Sequence, residues 1–240
     1  MTGRRTAWEE MGLTMGERRL FVALTFSEAE RSWLVQRQDA LKGHIVTGRL
    51  TAPGNLHMTL SFIGPCDEDR ETLAREALDV AVTAYRNALA DKGTGDSPVE
   101  DTEGTAPGPG KAPVTGPGPG SFPIDLALGH ISCFEKRRNS ILWVGPTDSS
   151  CPQRLGLLQE LVADELRVRG LPYGGETFRP HVTLARNVCV PKGVNLAELC
   201  ATLTSETASF TTRHTSASLM WSDHPKEGSL TYTPIKTVTL

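Results

Sequence analysis

The sequence predicts an α+β fold of sheet and helix layers, and three observations carry that prediction. Strand-like and helix-like segments alternate along the chain. No Gly-rich phosphate loop opens a helix, as a doubly wound nucleotide-binding sheet would require. One short pattern occurs twice, as Leu56-His57-Met58-Thr59-Leu60 and as Pro180-His181-Val182-Thr183-Leu184.

The elements follow in order. Leu20 to Phe26 is an apolar run of strand length. Ser27, with Glu30 three residues on, forms a capping box that opens a helix ending near Gly43. Ile45 to Leu50 and His57 to Ile63 read as strands. A second helix spans about Asp67 to Ala90, with Leu73, Ala77, Val80, Ala81 and Ala84 as its apolar face. The pattern then restarts. Phe122 to Phe134 and Ser140 to Val144 read as strands, and Pro152 suits the first turn of a helix carrying Leu155, Leu158, Leu161, Val162 and Leu166, closed by Gly170. His181 to Arg186 is a strand, Leu196 to Leu203 a short helix, and Phe210 to Trp221 with Leu230 to Leu240 a final strand pair rich in Thr and Ser.

Between the two rounds, Asp91 to Ser121 holds eight Gly and six Pro in 31 residues and no aromatic. Such a stretch buries too little apolar surface to offset its ordering entropy, which predicts a flexible insertion at about 91–121. Residues 1–17 are expected to be a disordered extension, leaving 18–240 as one interrupted domain.

Composition removes several classes of function. The 240 residues carry 25 Lys and Arg against 28 Asp and Glu, a net charge of -3, so no global positive field drives binding along duplex nucleic acid. A nucleic-acid substrate would have to be met in a local cleft. No run nears the ~20 apolar residues that cross a bilayer, and no small-residue cleavage site follows the early apolar run. Cys66, Cys133, Cys151, Cys189 and Cys200 are odd in number and lack a C-x-x-C pair, which predicts free thiols and a cytoplasmic location.

The repeated pattern is where the chemistry lies. In a strand, residues i and i+2 share a face, so His57 with Thr59, and His181 with Thr183, each project an imidazole and a hydroxyl together, while Met58, Leu60, Val182 and Leu184 point into the apolar layer. Two related halves facing one another would floor a cleft with two imidazoles and two hydroxyls. An imidazole titrates near pH 6.5, so one ring can accept a proton while the other donates one. Hydroxyls would meet the charge on a phosphoryl oxygen. That is equipment for acid/base cleavage of a phosphate ester. Neither copy has the second His or carboxylate at i+2 or i+4 that zinc and facial-triad sites use, and no G-x-S-x-G elbow marks a serine hydrolase.

The stretches Asn55 to Gly64 and Phe178 to Arg186 resemble the paired H-x-T-x motifs of the 2H phosphoesterase superfamily, and within it the RNA 2′,3′-cyclic phosphodiesterases, or 2′-5′ RNA ligase-like proteins. The likeness extends to Arg19 to Leu24 and to a middle segment containing Leu142-Trp143-Val144-Gly145. It implies a bilobal fold of two pseudo-symmetric halves, each with an antiparallel sheet and helices, around a cleft. It implies metal-independent hydrolysis of a 2′,3′-cyclic phosphate, at an RNA end or on a nucleotide, to a 2′-phosphomonoester, with no cofactor. It assigns His57 as proton donor and His181 as proton acceptor, Thr59 and Thr183 as phosphate-holding residues, and Arg186 as an arginine near the site. The chain departs from the pattern at Ser61, where relatives often carry a basic residue, and in its long insertion. Tyr173 and Phe178 precede the second motif as candidates for base stacking, with packing the expected role of Phe178. Lys136-Arg137-Arg138 is expected to be a solvated hairpin tip, and His44, His130, His214 and His224 are expected to be structural or surface residues. The alternatives are 2′-5′ joining or opening of RNA, and non-catalytic RNA or nucleotide binding in the same cleft. The expected protein is a monomer that meets no membrane.

Overall fold

The computed structural model describes residues 19–93, 121–135, 140–147, 152–174, 177–223 and 230–240. All its strands belong to one curled antiparallel sheet. The strands are β1 (Arg19–Thr25), β2 (Thr47–Leu50), β3 (His57–Pro65), β4 (Ile124–Phe134), β5 (Ser140–Pro146), β6 (Val182–Cys189), β7 (Phe210–His214), β8 (Ser216–Asp223) and β9 (Thr231–Thr239). Their order is β7-β4-β5-β6-β3-β1-β8-β9, with β2 also on β6. The helices are α1 (Glu28–Lys42), α2 (Glu68–Gly93), α3 (Gln153–Val168) and α4 (Leu196–Glu206). No helix among the described residues is long and apolar enough to cross a membrane.

The sheet divides into two lobes at β3 and β6, which join through a single pair, Met58 opposite Val182. The first lobe is β3-β1-β8-β9 and the second β6-β5-β4-β7 with β2. The lobes are not simply the two halves of the chain. Phe210 to Trp221, expected as one strand, is broken at Thr215: β7 pairs with β4 of the second lobe, whereas β8 crosses to pair with β1 of the first. The Leu240 N–H donates to the freed Thr215 carbonyl, and the Leu240 carbonyl accepts from Phe122, so the C-terminus fastens this crossing point. Likewise β2, early in the chain, pairs with β6 of the second lobe.

Local sequence explains the element ends. The expected capping box opens α1, with the Glu30 carboxylate accepting from the Ser27 N–H at 2.6 Å. The other Glu30 oxygen accepts from the Arg213 N–H at 3.0 Å, tying the helix start to β7. At the end of α3, Leu171 donates to Leu166 and Gly170 to Arg167, with Gly170 at φ +68, a left-handed helix stop that suits glycine. Helix α2 runs to Gly93, past its expected end, and its buried stripe is rotated from the expected one. Ala74, Ala77, Leu78, Ala81, Val82 and Tyr85 face the core, while Val80 is 43% exposed. The Tyr85 hydroxyl fixes this rotation by donating to the Phe122 carbonyl at 2.9 Å. Residues 1–18, most of the Gly/Pro-rich stretch (94–120), the basic tripeptide at 136–138, Cys151 and His224 lie outside the described residues.

Alternation along the two motif strands is as the pattern predicts. Met58, Leu60, Val182 and Leu184 are buried in the main core, while His57, Thr59, His181 and Thr183 turn the other way and are half-buried. Both strands then bulge at matching places. The register slips at Leu60 and at Ile63 in β3, and at Leu184 and between Arg186 and Val188 in β6. A bulge puts two successive residues on one side, here Leu60 with Ser61 and Leu184 with Ala185, all buried. The next residue is returned to the histidine face. In the second lobe that residue is Arg186, and in the first it is Phe62, 50% exposed.

Candidate active site

Antiparallel pairing of Met58 with Val182 puts His57 and Thr183, and likewise Thr59 and His181, at facing register positions on either side of the seam. His57, Thr183 and Arg186 line a cavity of about 370 Å³ together with Arg49, Leu50, Thr51, Ala52, Asn55, Leu230 and Tyr232. No carboxylate among the described residues lines it.

The two rings are held alike. His57 Nδ1 lies 2.7 Å from the Asn55 carbonyl and His181 Nδ1 lies 2.8 Å from the Arg179 carbonyl, in each case two residues upstream. A carbonyl only accepts, so Nδ1 of each ring carries the hydrogen and Nε2 of the neutral ring is left as a proton acceptor. His57 Nε2 accepts from the Thr59 hydroxyl at 2.9 Å. Aromatic neighbours fix the ring planes. Phe21 and Tyr232 pack on His57 at 4.8 and 4.9 Å between centroids, and Phe134 and Trp143 pack on His181 at 5.0 and 6.0 Å.

This packing sets the proton affinities. Burial pushes the His57 pKa down to about 4; the Asn55 carbonyl opposes the shift, and the Arg186 and His181 charges add to it. His181 is also lowered, first by burial and then by the charges of Arg186 and Arg179, against the hydrogen bond to the Arg179 carbonyl. Both rings are therefore neutral at pH 7 in the open cleft, and Arg186 acts on both of them.

Several residues of the site carry no signal in the sequence. Asn55 supplies the carbonyl that orients His57, and its side chain donates to the Leu230 carbonyl at 2.7 Å and accepts from the Tyr232 N–H at 3.0 Å, clamping the entry to β9 against the cleft. Tyr232 and Arg49 reach the cavity from distant points in the chain. Buried Gln38 of α1 donates to the Thr51 and Leu184 carbonyls, both at 2.8 Å, and so fixes one wall to the motif strand. Tyr173, a candidate from sequence, packs its side chain against the main core and is not among the cavity-lining residues; its carbonyl accepts from the Ser61 hydroxyl at 2.8 Å. Phe178 also packs on the core. His214, expected to be structural, is buried and bonded to Thr25 and Thr212. Cys66, Cys133, Cys189 and Cys200 are free thiols. Among the described residues no group of three His, Cys, Asp or Glu side chains converges as a metal site would.

Known proteins share this architecture. Escherichia coli LigT complexed with 3′-AMP matches with a TM-score of 0.56 at 20% identity, over 94% of this chain and 98% of that one. A structure described as a phosphoesterase matches with a TM-score of 0.58 at 20% identity, over 93% and 98%. The protein TT0787 of Thermus thermophilus matches with a TM-score of 0.56 at 18% identity, over 92% and 97%. At these identities the likeness is one of fold. No curated protein matches by sequence. The family model of the 2′-5′ RNA ligase superfamily matches residues 49–226, a span that runs from the Arg49 wall of the cleft through both histidine strands and the crossing of β8 to the first lobe. With most of its length in that match and the two-lobed sheet to go with it, the chain belongs to the 2′-5′ RNA ligase superfamily of 2H phosphoesterases.

Proposed function

We propose that the protein hydrolyses a 2′,3′-cyclic phosphate, at an RNA end or on a nucleotide, to a 2′-phosphomonoester, using His57 as general acid and His181 as general base. The observation that carries this reading is the seam itself: two imidazoles with their Nδ1 hydrogens held by backbone carbonyls flank the single pair that joins the lobes, and beside them His57 and Thr183 line a cavity without carboxylates among the described residues, a cavity that His181 and Thr59 do not line. In the reaction His181 Nε2 takes a proton from water as its oxygen bonds to phosphorus. The bond from phosphorus to the 3′ oxygen breaks, and His57 Nε2–H protonates that oxygen. Thr59 and Thr183 donate to the non-bridging oxygens, whose charge rises in the transition state.

His57, neutral in the open cleft, must be charged to act as an acid. The bound phosphate anion supplies the opposite charge that raises its proton affinity. The cleft is asymmetric, since Arg186 stands on the second lobe where Phe62 stands on the first. The LigT structures with 3′-AMP and with NADP+ show that a protein of this fold accommodates nucleotides, which supports a nucleotide-bearing substrate here. The test is product identification after incubation with 2′,3′-cyclic nucleotides and cyclic-ended RNAs in EDTA. A 2′-phosphate is expected. A 3′-phosphate, or turnover that needs an added divalent ion, overturns the reading.

A further inference from the structure

Arg49 in β2 and Arg186 in β6 are direct cross-strand partners, and both line the cavity that holds His57 and Thr183. Like charges directly opposite in a sheet repel, and a carboxylate beside the pair would relieve the repulsion. None is present here: no ion pair or hydrogen bond reaches either guanidinium from the described residues, and no acidic residue among them lines the cavity. By contrast, Arg75, Arg167, Arg169 and Arg213 all carry an acidic partner. The bulge after Thr183 turns Arg186 onto the cleft, and the chain feeds β2 into the second lobe so that Arg49 faces it.

We propose that Arg49 and Arg186 form a second phosphate subsite beside the two-histidine centre, selecting the end of an RNA chain over a free cyclic mononucleotide. This rests on the hydrolytic reading above. Two ladder steps of a strand separate the pair from Thr183, roughly 7 Å, a distance suited to the neighbouring phosphodiester of a chain whose terminal cyclic phosphate sits between the histidines. Leu50, Leu230 and Tyr232 give the intervening nucleoside an apolar and aromatic wall. Two guanidiniums present paired N–H donors to a phosphate, whereas a mononucleotide has no second phosphate to fill them.

The experiment compares kcat/KM for uridine 2′,3′-cyclic phosphate with that for a tetranucleotide ending in a 2′,3′-cyclic phosphate. Arg49→Gln should lower the oligonucleotide value about tenfold to a hundredfold more than the mononucleotide value. Arg49→Lys should recover part of this, and Arg167→Gln on the far helix should leave the ratio as in the wild type. Equal losses on both substrates would place Arg49 at the reacting phosphate, and no loss on either would remove it from binding; either result overturns the proposal. If the wild type turns over neither substrate, the hydrolytic reading fails, and binding then decides the subsite. The affinity for a tetranucleotide 3′-phosphate should fall with salt more steeply in the wild type than in Arg49→Gln, by about 0.7 in logarithmic slope, with no such difference for uridine 3′-phosphate. Identical slopes overturn it.

Discussion

The two histidines share a geometry but not an environment, and their separate roles are open to test. His57→Ala and His181→Ala should each lower kcat by about 10²–10⁴-fold while KM changes only a few-fold, because each removes assistance confined to the transition state. A nitrophenyl phosphodiester, whose leaving group needs no proton, should be spared by His57→Ala but not by His181→Ala; the opposite pattern reverses the assignment. Burial of His57 also has a consequence for stability. Its folded pKa, about 4, lies below the ordinary 6.5. Between those values the unfolded chain binds a proton that the folded chain refuses, so stability rises with pH through this window and falls by roughly 3 kcal/mol on acidification through it. Urea midpoints at pH 7 and pH 4.5 should therefore differ less in His57→Gln than in the wild type, and an unchanged difference would assign the acid sensitivity to another group.

Among the elements, β5 lies closely against the backbone that leads into the second histidine. A Cβ built on Gly145 would lie 2.8 Å from the Pro180 carbonyl oxygen and 3.0 Å from the Trp143 ring, so the backbone next to His181 passes over β5 with no room for a side chain. Gly145→Ala should cost about 1–3 kcal/mol, read as a lowered Tm. It should also lower kcat, because the displaced carbonyl belongs to the residue before His181 and the Trp143 ring packs on that imidazole. Gly54→Ala, in the 3₁₀ turn before the first motif, meets nothing within 4 Å and should change neither value. If the two variants behave alike, close packing at Gly145 is not what positions His181.

At the scale of the molecule, α2 ends at Gly93 and β4 begins at Ile124, just after Phe122, whose carbonyl accepts from the Tyr85 hydroxyl and whose N–H donates to the Leu240 carbonyl. The Gly/Pro-rich stretch between them contains no large apolar group, and loop closure entropy varies slowly with length. Deleting about Thr94 to Gly118 should leave Tm and cyclic-phosphate hydrolysis close to the wild-type values. Insolubility, or a Tm lower by many degrees, would show that this tract packs on the body.

What the sequence determines is whatever is encoded within a few residues. The alternation of His57 and Thr59 against Met58 and Leu60 fixes which side chains face the cleft, because the period of a strand is two. Ser27 with Glu30, and Gly170, fix helix ends because caps are local hydrogen bonds. The duplicated pattern announces that two such faces exist. Only the tertiary structure decides how they meet. The stripe of α2 is rotated because Tyr85 finds a carbonyl 37 residues away. Phe210 to Trp221 divides between lobes because its two ends pair with β4 and β1, which lie on opposite sides of the seam. Arg49, Asn55 and Tyr232 join the site through strand pairing and a side-chain clamp across 177 residues, and pairings at that separation leave no periodicity for a sequence to display.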